Sequence, residues 1–408
     1  MPLANSLLTR EQLDQPEFMS PLAVVVCRGC SLLQITCEVP PENLFRNYAY
    51  FSSFSDTTLT HARELALRLV AERRLGQDSF VVEVASNDGY LLQNYNEHQI
   101  RTLGIEPALN VAAVARERGV DTITEFFCED LAKSLAQEKG RADVIHGNNV
   151  MAHVPDINGF LAAIRVMLKD DGIAVIEVPY VVELVDNVLF DTIYHEHVFY
   201  FSVSAIDNLC KRNNLVLKDI ERLSIHGGSL RLFMSRAGQP SAAVGALLAY
   251  ERERGFDSDK GFRDFTRRVA TLKADLSSHL KNLKNSGKTI AAYGAAAKGS
   301  TLLNFFKIGN ELIDFVVDRS TAKQGLFMPG VRLPIYPPEE LLARNPDYVL
   351  LLTWNFAQEI LQQQREYLRR GGRFILPIPK PTIVTFDSME RVPVETQHFP
   401  QTGTITIS

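Results

Sequence analysis

Tryptophan occurs once and cysteine five times in this 408-residue chain. No apolar run approaches the roughly 18 to 20 residues that a membrane-spanning helix requires. The cysteines, at positions 27, 30, 37, 128 and 210, are too few and too scattered to staple a chain of this length, so they read as thiols or ligands. Clustered Lys and Arg are also missing, and a net charge of -5 argues against a sequence-independent grip on nucleic acid. The N-terminus lacks the basic-then-apolar pattern of a secretory leader. The expectation is a cytoplasmic protein, monomeric, with small-molecule partners and neither nucleic acid nor membrane. The chain exceeds what one core organises, which points to two or three domains.

Residues 1–55 are short apolar runs broken by Pro2, Pro16, Pro21, Pro40 and Pro41, a small loop-and-strand module. A helix is predicted from about Thr58 to Arg74, with Leu59, Leu65, Leu67 and Leu69 as its apolar positions. Strand, turn and helix then alternate. Ser79 to Gly89 leads into a helical-looking Tyr90 to Tyr95, Leu103 to Glu106 into an Ala-rich helix through Arg118, and Ala142 to Asn149 into Phe160 to Leu168. After a charged helical stretch at about 240–286, Lys288 to Gly299 repeats the pattern, followed by strands near Leu312 to Asp318, Tyr348 to Thr353 and Arg373 to Pro377. Such alternation predicts an α/β protein with two Rossmann-like, doubly wound parallel sheets. The domains are then 56–240 and 241–380 after the small module, with 381–408 a tail of unassigned role.

The densest chemistry lies in Asp191-Thr-Ile-Tyr194-His195-Glu196-His197. In an extended segment the two-residue spacing would put Tyr194 with Glu196 on one face and His195 with His197 on the other. The turn Ser86-Asn87-Asp88-Gly89 ends a strand, where α/β sheets bind ligands, and Gly89 would let backbone approach one closely. Glu106 ends the next strand, placed to accept both hydroxyls of a ribose. Asp88 would repel a diphosphate but tolerate a sulfonium or amino group, favouring S-adenosylmethionine over a nicotinamide dinucleotide; an ordinary turn with a capping Asp fits the same residues.

The second lobe's turn has the opposite character. Gly294, small residues and then Lys298-Gly299 suit a phosphate at a helix N-terminus, or simply close helix-to-sheet packing. Asp318-Arg319 could meet a nucleoside or sugar. His226-Gly-Gly-Ser229-Leu-Arg231 offers donors around paired glycines, or is a hairpin turn. Cys27-Arg-Gly-Cys30 has the spacing of half a zinc site, equally that of two metal-free thiols.

Taken in order, these segments closely resemble the S-adenosylmethionine-dependent nucleotide-sugar C-methyltransferases that make branched deoxysugars. The match runs from Pro2-Leu-Ala-Asn-Ser to about Pro379. It includes Tyr48-Ala-Tyr50-Phe-Ser-Ser, Glu83-Val-Ala-Ser-Asn-Asp-Gly, Gly104-Ile-Glu106-Pro, Asn148-Asn-Val-Met-Ala-His153, the segment ending at His197, Tyr293-Gly-Ala-Ala-Ala-Lys-Gly and Lys323-Gln-Gly. The resemblance implies a zinc module packed on two Rossmann-like domains, and methylation of a carbon beside the ketone of a nucleoside-diphosphate 4-keto-6-deoxyhexose, usually thymidine-linked. It implies His197 as base, Tyr194 and Glu196 orienting the sugar or relaying protons, and His153 polarising the ketone. The methyl donor would be held by Glu83, Ser86, Asn87, Asp88, Gly89 and Glu106, with Asn148 and Asn149. Tyr48, Tyr50 and His195 would meet the substrate from one side, His226, Ser229 and Arg231 from another, and Tyr293, Lys298 and Arg319 from the second lobe. The family carries a further Cys-x-x-Cys pair upstream of Pro-Leu-Ala-Asn; here Met1 directly precedes that segment. Cys27 and Cys30 therefore supply half a ligand set, and the expectation is either a start codon placed late or a module that has lost its metal. Rival readings are a sugar O-methyltransferase, a nucleotide-sugar binding protein whose site has decayed, and an NAD-dependent epimerase, the last disfavoured by Asp88 and the missing glycine-rich fingerprint.

Overall fold

The computed structural model describes residues 1–45 and 51–392, apart from the side chains of Asn43, Phe45 and His226. Three sheets organise it. The smallest is antiparallel and joins Val24–Val26, Leu33–Ile35 and Phe199–Tyr200. Its third strand comes from far along the chain, directly after the His-rich segment.

The seven-stranded sheet runs, in space, Thr122–Ile123, Arg101–Ile105, Phe80–Val84, Ala142–Asn148, Leu168–Pro179, Ser229–Ser235, Val216–Leu223. Its first five members are parallel and the last two form an antiparallel hairpin. Phe80–Val84 is buried at every position, as a strand covered on both faces must be. The connection at Ile225–Gly227 is a short 3-10 turn, so the paired glycines do make a hairpin turn. The helix Asp56–Arg73 packs on this sheet through Ala62, Leu65, Ala66 and Leu69, a spacing that lines one helical face. Its start is capped by Ser55, whose hydroxyl accepts from the Thr58 amide. Leu67, expected among its apolar positions, faces outward. Of the helix expected over Tyr90 to Tyr95, only Gln93–Asn96 forms.

The third sheet runs Ile335–Tyr336, Val316–Val317, Ile290–Tyr293, Tyr348–Leu351, Arg373–Leu376, Thr382–Val384. All but the last strand are parallel. Thr382–Val384 lies beyond the expected domain end at 380, yet it pairs antiparallel with Phe374 to Leu376; three β-branched residues complete the edge. Two helices, Ala242–Arg254 and Phe265–Asn285, link the lobes, the second burying Val269, Leu272, Leu276 and Leu280 along one stripe. No helix among the described residues is long and apolar enough to cross a membrane.

Candidate active site

Among the parallel strands of each large sheet the order reverses once, between Phe80–Val84 and Ala142–Asn148 in one, and between Ile290–Tyr293 and Tyr348–Leu351 in the other. Ligands of open α/β sheets bind where this happens, since neighbouring loops diverge to opposite faces and leave a crevice. Here both reversals open onto one cavity of about 630 Å³. Its wall takes Asn87 and Asn148 from the first reversal, and Lys298 and Phe356 from the second. Asn5 comes from the N-terminal module and Tyr194 and His197 from the His-rich segment.

That segment is not extended. The amide of His197 donates to the carbonyl of Tyr194 at 2.9 Å, closing a turn. The faces expected at two-residue spacing are therefore exchanged: Tyr194 meets His197, while His195 and Glu196 point away. His197 Nδ1 lies 2.8 Å from the Thr192 carbonyl. A carbonyl only accepts, so Nδ1 carries the proton and Nε2 of the neutral ring is bare. Nε2 lies 2.8 Å from the Tyr194 hydroxyl, which can donate to it. The His153 ring stands 4.7 Å from that of His197, edge to face, and lines the cavity. Burial pulls its pKa down to about 4, against the backbone of Glu196 and Asn149, so it is neutral at physiological pH.

On the side of the seven-stranded sheet, Glu106 lines the cavity and accepts from the amides of Asn87 and Ala108 at 2.9 and 2.8 Å. Burial lifts its carboxyl above the ordinary range, only partly offset by those two amides. Asn87 has a left-handed backbone, φ 49°, as Asn tolerates. Asn148 contacts the Tyr90 hydroxyl through its amide nitrogen at 3.3 Å, while its Oδ1 is buried with no partner among the described residues. Phe126 and Phe127 supply an apolar wall. A carboxylate for ribose hydroxyls, an orphaned amide oxygen and flat apolar faces fit S-adenosylmethionine.

On the second-lobe side, the helix Ala297–Phe306 starts at the cavity wall, and the amides of a helix's first turn have no acceptor within the helix. The Lys298 ammonium sits 4.5 Å from the ring centroid of Trp354. Trp354 Nε1 donates to Asp191 at 2.7 Å. Burial pushes Asp191 up to about 6, against the pull of Lys298 and Trp354. Asp191, brought there from the His-rich segment, therefore stands close enough to the lysine of this turn to feel its charge.

Several expected contacts are placed elsewhere. Asp88 is fully buried, accepts from the Ser53 hydroxyl at 2.5 Å and pairs with Arg118 at 3.0 Å. Its charge is consumed locally and does not line the cavity. Gly89 permits close approach not to a ligand but to Val120, whose methyl would lie 2.8 Å from any Cβ placed there. Glu83 and Ser86 are buried beneath the wall, and burial raises Glu83 well above the usual carboxylate range. Arg231 is bound between Glu177 and Glu221 at 2.7 and 3.0 Å, and Ser229 donates to the Ile225 carbonyl; both belong to the hairpin.

Tyr293 is buried near Phe374, Arg319 pairs with Glu359 at the surface, and neither lines the cavity. The same is true of His195 and Glu196. Tyr48 and Tyr50, and the side chain of His226, lie outside the described residues. Asn149 is on the wall. The sequence reading assigned no role to Asn5, Tyr90, Phe126, Phe127, Lys323 or Phe356, all of which line it. Asn5 and Lys323 stood in two of the segments that carry the resemblance, and the Phe126-Phe127 pair shortly after a short strand was a signal.

Cys27 and Cys30 form a half-exposed knuckle. Among the described residues no three His, Cys, Asp or Glu side chains are placed to share an ion, so within them the two thiols find no further ligands for a four-coordinate zinc.

Family models match three consecutive stretches: a putative zinc binding domain over residues 1–45, a methyltransferase domain over 58–219, and a C-methyltransferase C-terminal domain over 224–379. The C-methyltransferase NovU of Streptomyces niveus is 38% identical over 390 residues, covering 95% of this chain and 93% of that protein. Similar solved structures include the magnesium protoporphyrin IX methyltransferase of Synechocystis PCC 6803 with bound S-adenosylmethionine, at 12% identity and a TM-score of 0.34, covering 44% of this chain and 79% of that one. Another is the YcgJ protein of Bacillus subtilis, at 16% identity and a TM-score of 0.36, covering 44% and 100%. With a relative this similar along nearly its whole length, the chain belongs to the S-adenosylmethionine-dependent C-methyltransferases.

Proposed function

We propose that this enzyme methylates a nucleoside-diphosphate 4-keto-6-deoxyhexose, thymidine-linked, at a carbon next to its ketone. The observation that carries the reading is the hydrogen-bonded Tyr194–His197 pair, in whose neutral imidazole Nδ1 holds the proton, on the wall of a cavity shared by two reversal points. Glu106, Asn87, Asn148 and Asn149 hold the adenosyl donor at the first; the start of the Ala297–Phe306 helix and Lys298 hold the diphosphate at the second.

His197 then acts as general base. The α C–H bond breaks, the proton passes to Nε2 directly or through the Tyr194 hydroxyl, and the electron pair moves onto the ketone oxygen as an enolate. His153, neutral, offers an N–H toward that oxygen. Bound S-adenosylmethionine supplies an electrophilic methyl group on a sulfonium that departs as a neutral thioether. The rest of the work is placement, because the two reacting carbons must be held about 3 to 3.5 Å apart. The reading has the protein act as a cytoplasmic monomer.

Incubation with methyl-labelled donor and a panel of thymidine diphosphate-linked 4-keto sugars, with the new methyl located by NMR, tests this. Methyl on carbon and solvent deuterium washed into the α position are expected; methyl on oxygen without exchange would make it an O-methyltransferase. Glu106→Gln is expected to weaken S-adenosylhomocysteine binding by about 10-fold or more in calorimetry, since its new amide group must face one of two amide donors. Unchanged affinity would remove Glu106 from the ribose site.

A further inference from the structure

The catalytic turn has four residues and two orientations. Its ends, Tyr194 and His197, line the cavity. Its middle, His195 and Glu196, is buried against the N-terminal segment. His195 Nε2 lies 3.3 Å from the Ser20 carbonyl and 3.2 Å from that of Pro21, so it donates to both. Asn5 Nδ2 donates to Glu196 Oε1 at 2.6 Å. Immediately downstream, Phe199–Tyr200 is a strand of the N-terminal sheet, and the Ile35 amide donates to the Val198 carbonyl at 2.9 Å.

The N-terminal segment is itself held on the far side. Leu8 and Phe327 exchange backbone hydrogen bonds of 2.9 Å each way, and Glu17 pairs with Arg332 at 3.0 Å. Residues 1–21 are thus seated between the catalytic turn and the second lobe.

We infer that this segment is a positioning element for the reaction and that Asn5 is its decisive residue: by holding the carboxyl of Glu196 it fixes the turn that aims Tyr194 and His197. The inference rests on the reading of His197 as the base. Glu196 was expected to touch the sugar; instead its Oε2 is buried with no partner among the described residues, and its Oε1 has Asn5. Without Asn5 the carboxyl has neither oxygen satisfied among the described residues, which a buried polar group tolerates poorly. The turn would shift to satisfy it, and a displacement of about 1 Å can cost about 100-fold in rate.

The same contact has a titration signature. Burial raises Glu196 to about 7, while Asn5 and the Lys323 ammonium pull it down. The neighbouring His153 meets the backbone of Glu196, not its carboxyl, and Tyr194 and His197 share its turn. Removing the Asn5 donor therefore moves the Glu196 midpoint upward.

The test uses the full chain as wild type, Asn5→Ala, Asn5→Asp and His197→Ala. It measures methyl transfer to thymidine diphosphate-4-keto-6-deoxyglucose, S-adenosylhomocysteine affinity, and the Glu196 carboxyl midpoint by 13C NMR. For Asn5→Ala the expected result is a kcat lower by about 10- to 100-fold, donor affinity within about twofold, and a Glu196 midpoint above that of wild type. Asn5→Asp keeps the size but replaces the donor with an acceptor, so it should raise the midpoint further and serves if the alanine variant does not fold. Wild-type kcat and midpoint in either folded variant overturn the inference while leaving His197 as base. An active His197→Ala, or a wild-type enzyme that leaves this sugar untouched, instead counts against the proposed function, and the midpoint still decides whether Asn5 anchors the turn.

Discussion

Replacing His197 with alanine is expected to lower methyl transfer by about 100-fold or more, the usual scale for a general base, while S-adenosylhomocysteine binds as before. The expectation follows from hydrogen-bond partners. Thr192 offers Nδ1 only an acceptor at 2.8 Å, so in the neutral ring Nε2, beside the Tyr194 hydroxyl, is the nitrogen that takes a proton. Donor binding is expected to persist because Glu106, Asn87 and Asn148 stand at strand ends of the seven-stranded sheet, whereas His197 lies in the turn that precedes Phe199–Tyr200. A loss of about 100-fold corresponds to about 2.7 kcal/mol of transition-state stabilisation. Single-turnover rates with pre-bound donor separate this from slow product release. Near wild-type turnover would remove His197 from the role. Tyr194→Phe keeps the ring and deletes the hydroxyl 2.8 Å from Nε2; a comparable fall there would assign the proton's path to the tyrosine oxygen.

The second large effect is on stability. Arg231→Ala is expected to lower unfolding free energy by about 3 kcal/mol, at the low end of the range for breaking a buried ion pair. Glu177 is 1% exposed and Arg231 6%, and the two are joined at 2.7 Å between adjacent strands. The loss stays at the low end because His61 Nε2 remains 2.9 Å from both Glu177 oxygens. Urea denaturation reads the change. The KM for the proposed keto-sugar substrate should stay within about twofold, since Arg231 does not line the cavity; a large rise in KM with unaltered stability would restore it as a substrate contact.

The same pair predicts acid lability. Burial alone would raise Glu177, but His61 and Arg231 outweigh it and its pKa lies below the ordinary carboxylate value. A carboxyl lowered on folding stabilises fully above its unfolded value of about 4.3 and loses that contribution as pH falls through the folded value. Wild type should therefore lose stability on acidification in that window, and Arg231→Ala should lose less.

How far the sequence reached differs between fold and site. Largely apolar runs such as Phe80–Val84, interrupted only by Glu83, and Ile290–Tyr293 mark buried strands whatever their neighbours, because a strand covered on both faces is mostly apolar. The charges misled. Asp88 and Arg231 are the types of residue that bind ligands, yet each is neutralised by a partner distant in sequence, Arg118 and Glu177 respectively. No local pattern reports such pairing. The His-rich segment was legible as chemistry but not in its geometry, since the Tyr194 to His197 hydrogen bond exchanges the faces that an extended strand would have.

By itself the amino-acid order determined the class of protein: alternating strands and helices, the reversal-point turn with Glu106, and the ordered set of segments shared with C-methyltransferases. These are local properties, set by periodicity and residue type over a few positions. Only the tertiary structure decided that the two reversal points open onto one cavity. It also brought Asn5 to Glu196 and Trp354 to Asp191 across long stretches of the chain, and seated the first 21 residues against the turn from Tyr194 to His197. The reason is that a site built from three modules is specified by which surfaces bury one another, and burial is a property of the packed chain rather than of any stretch of it.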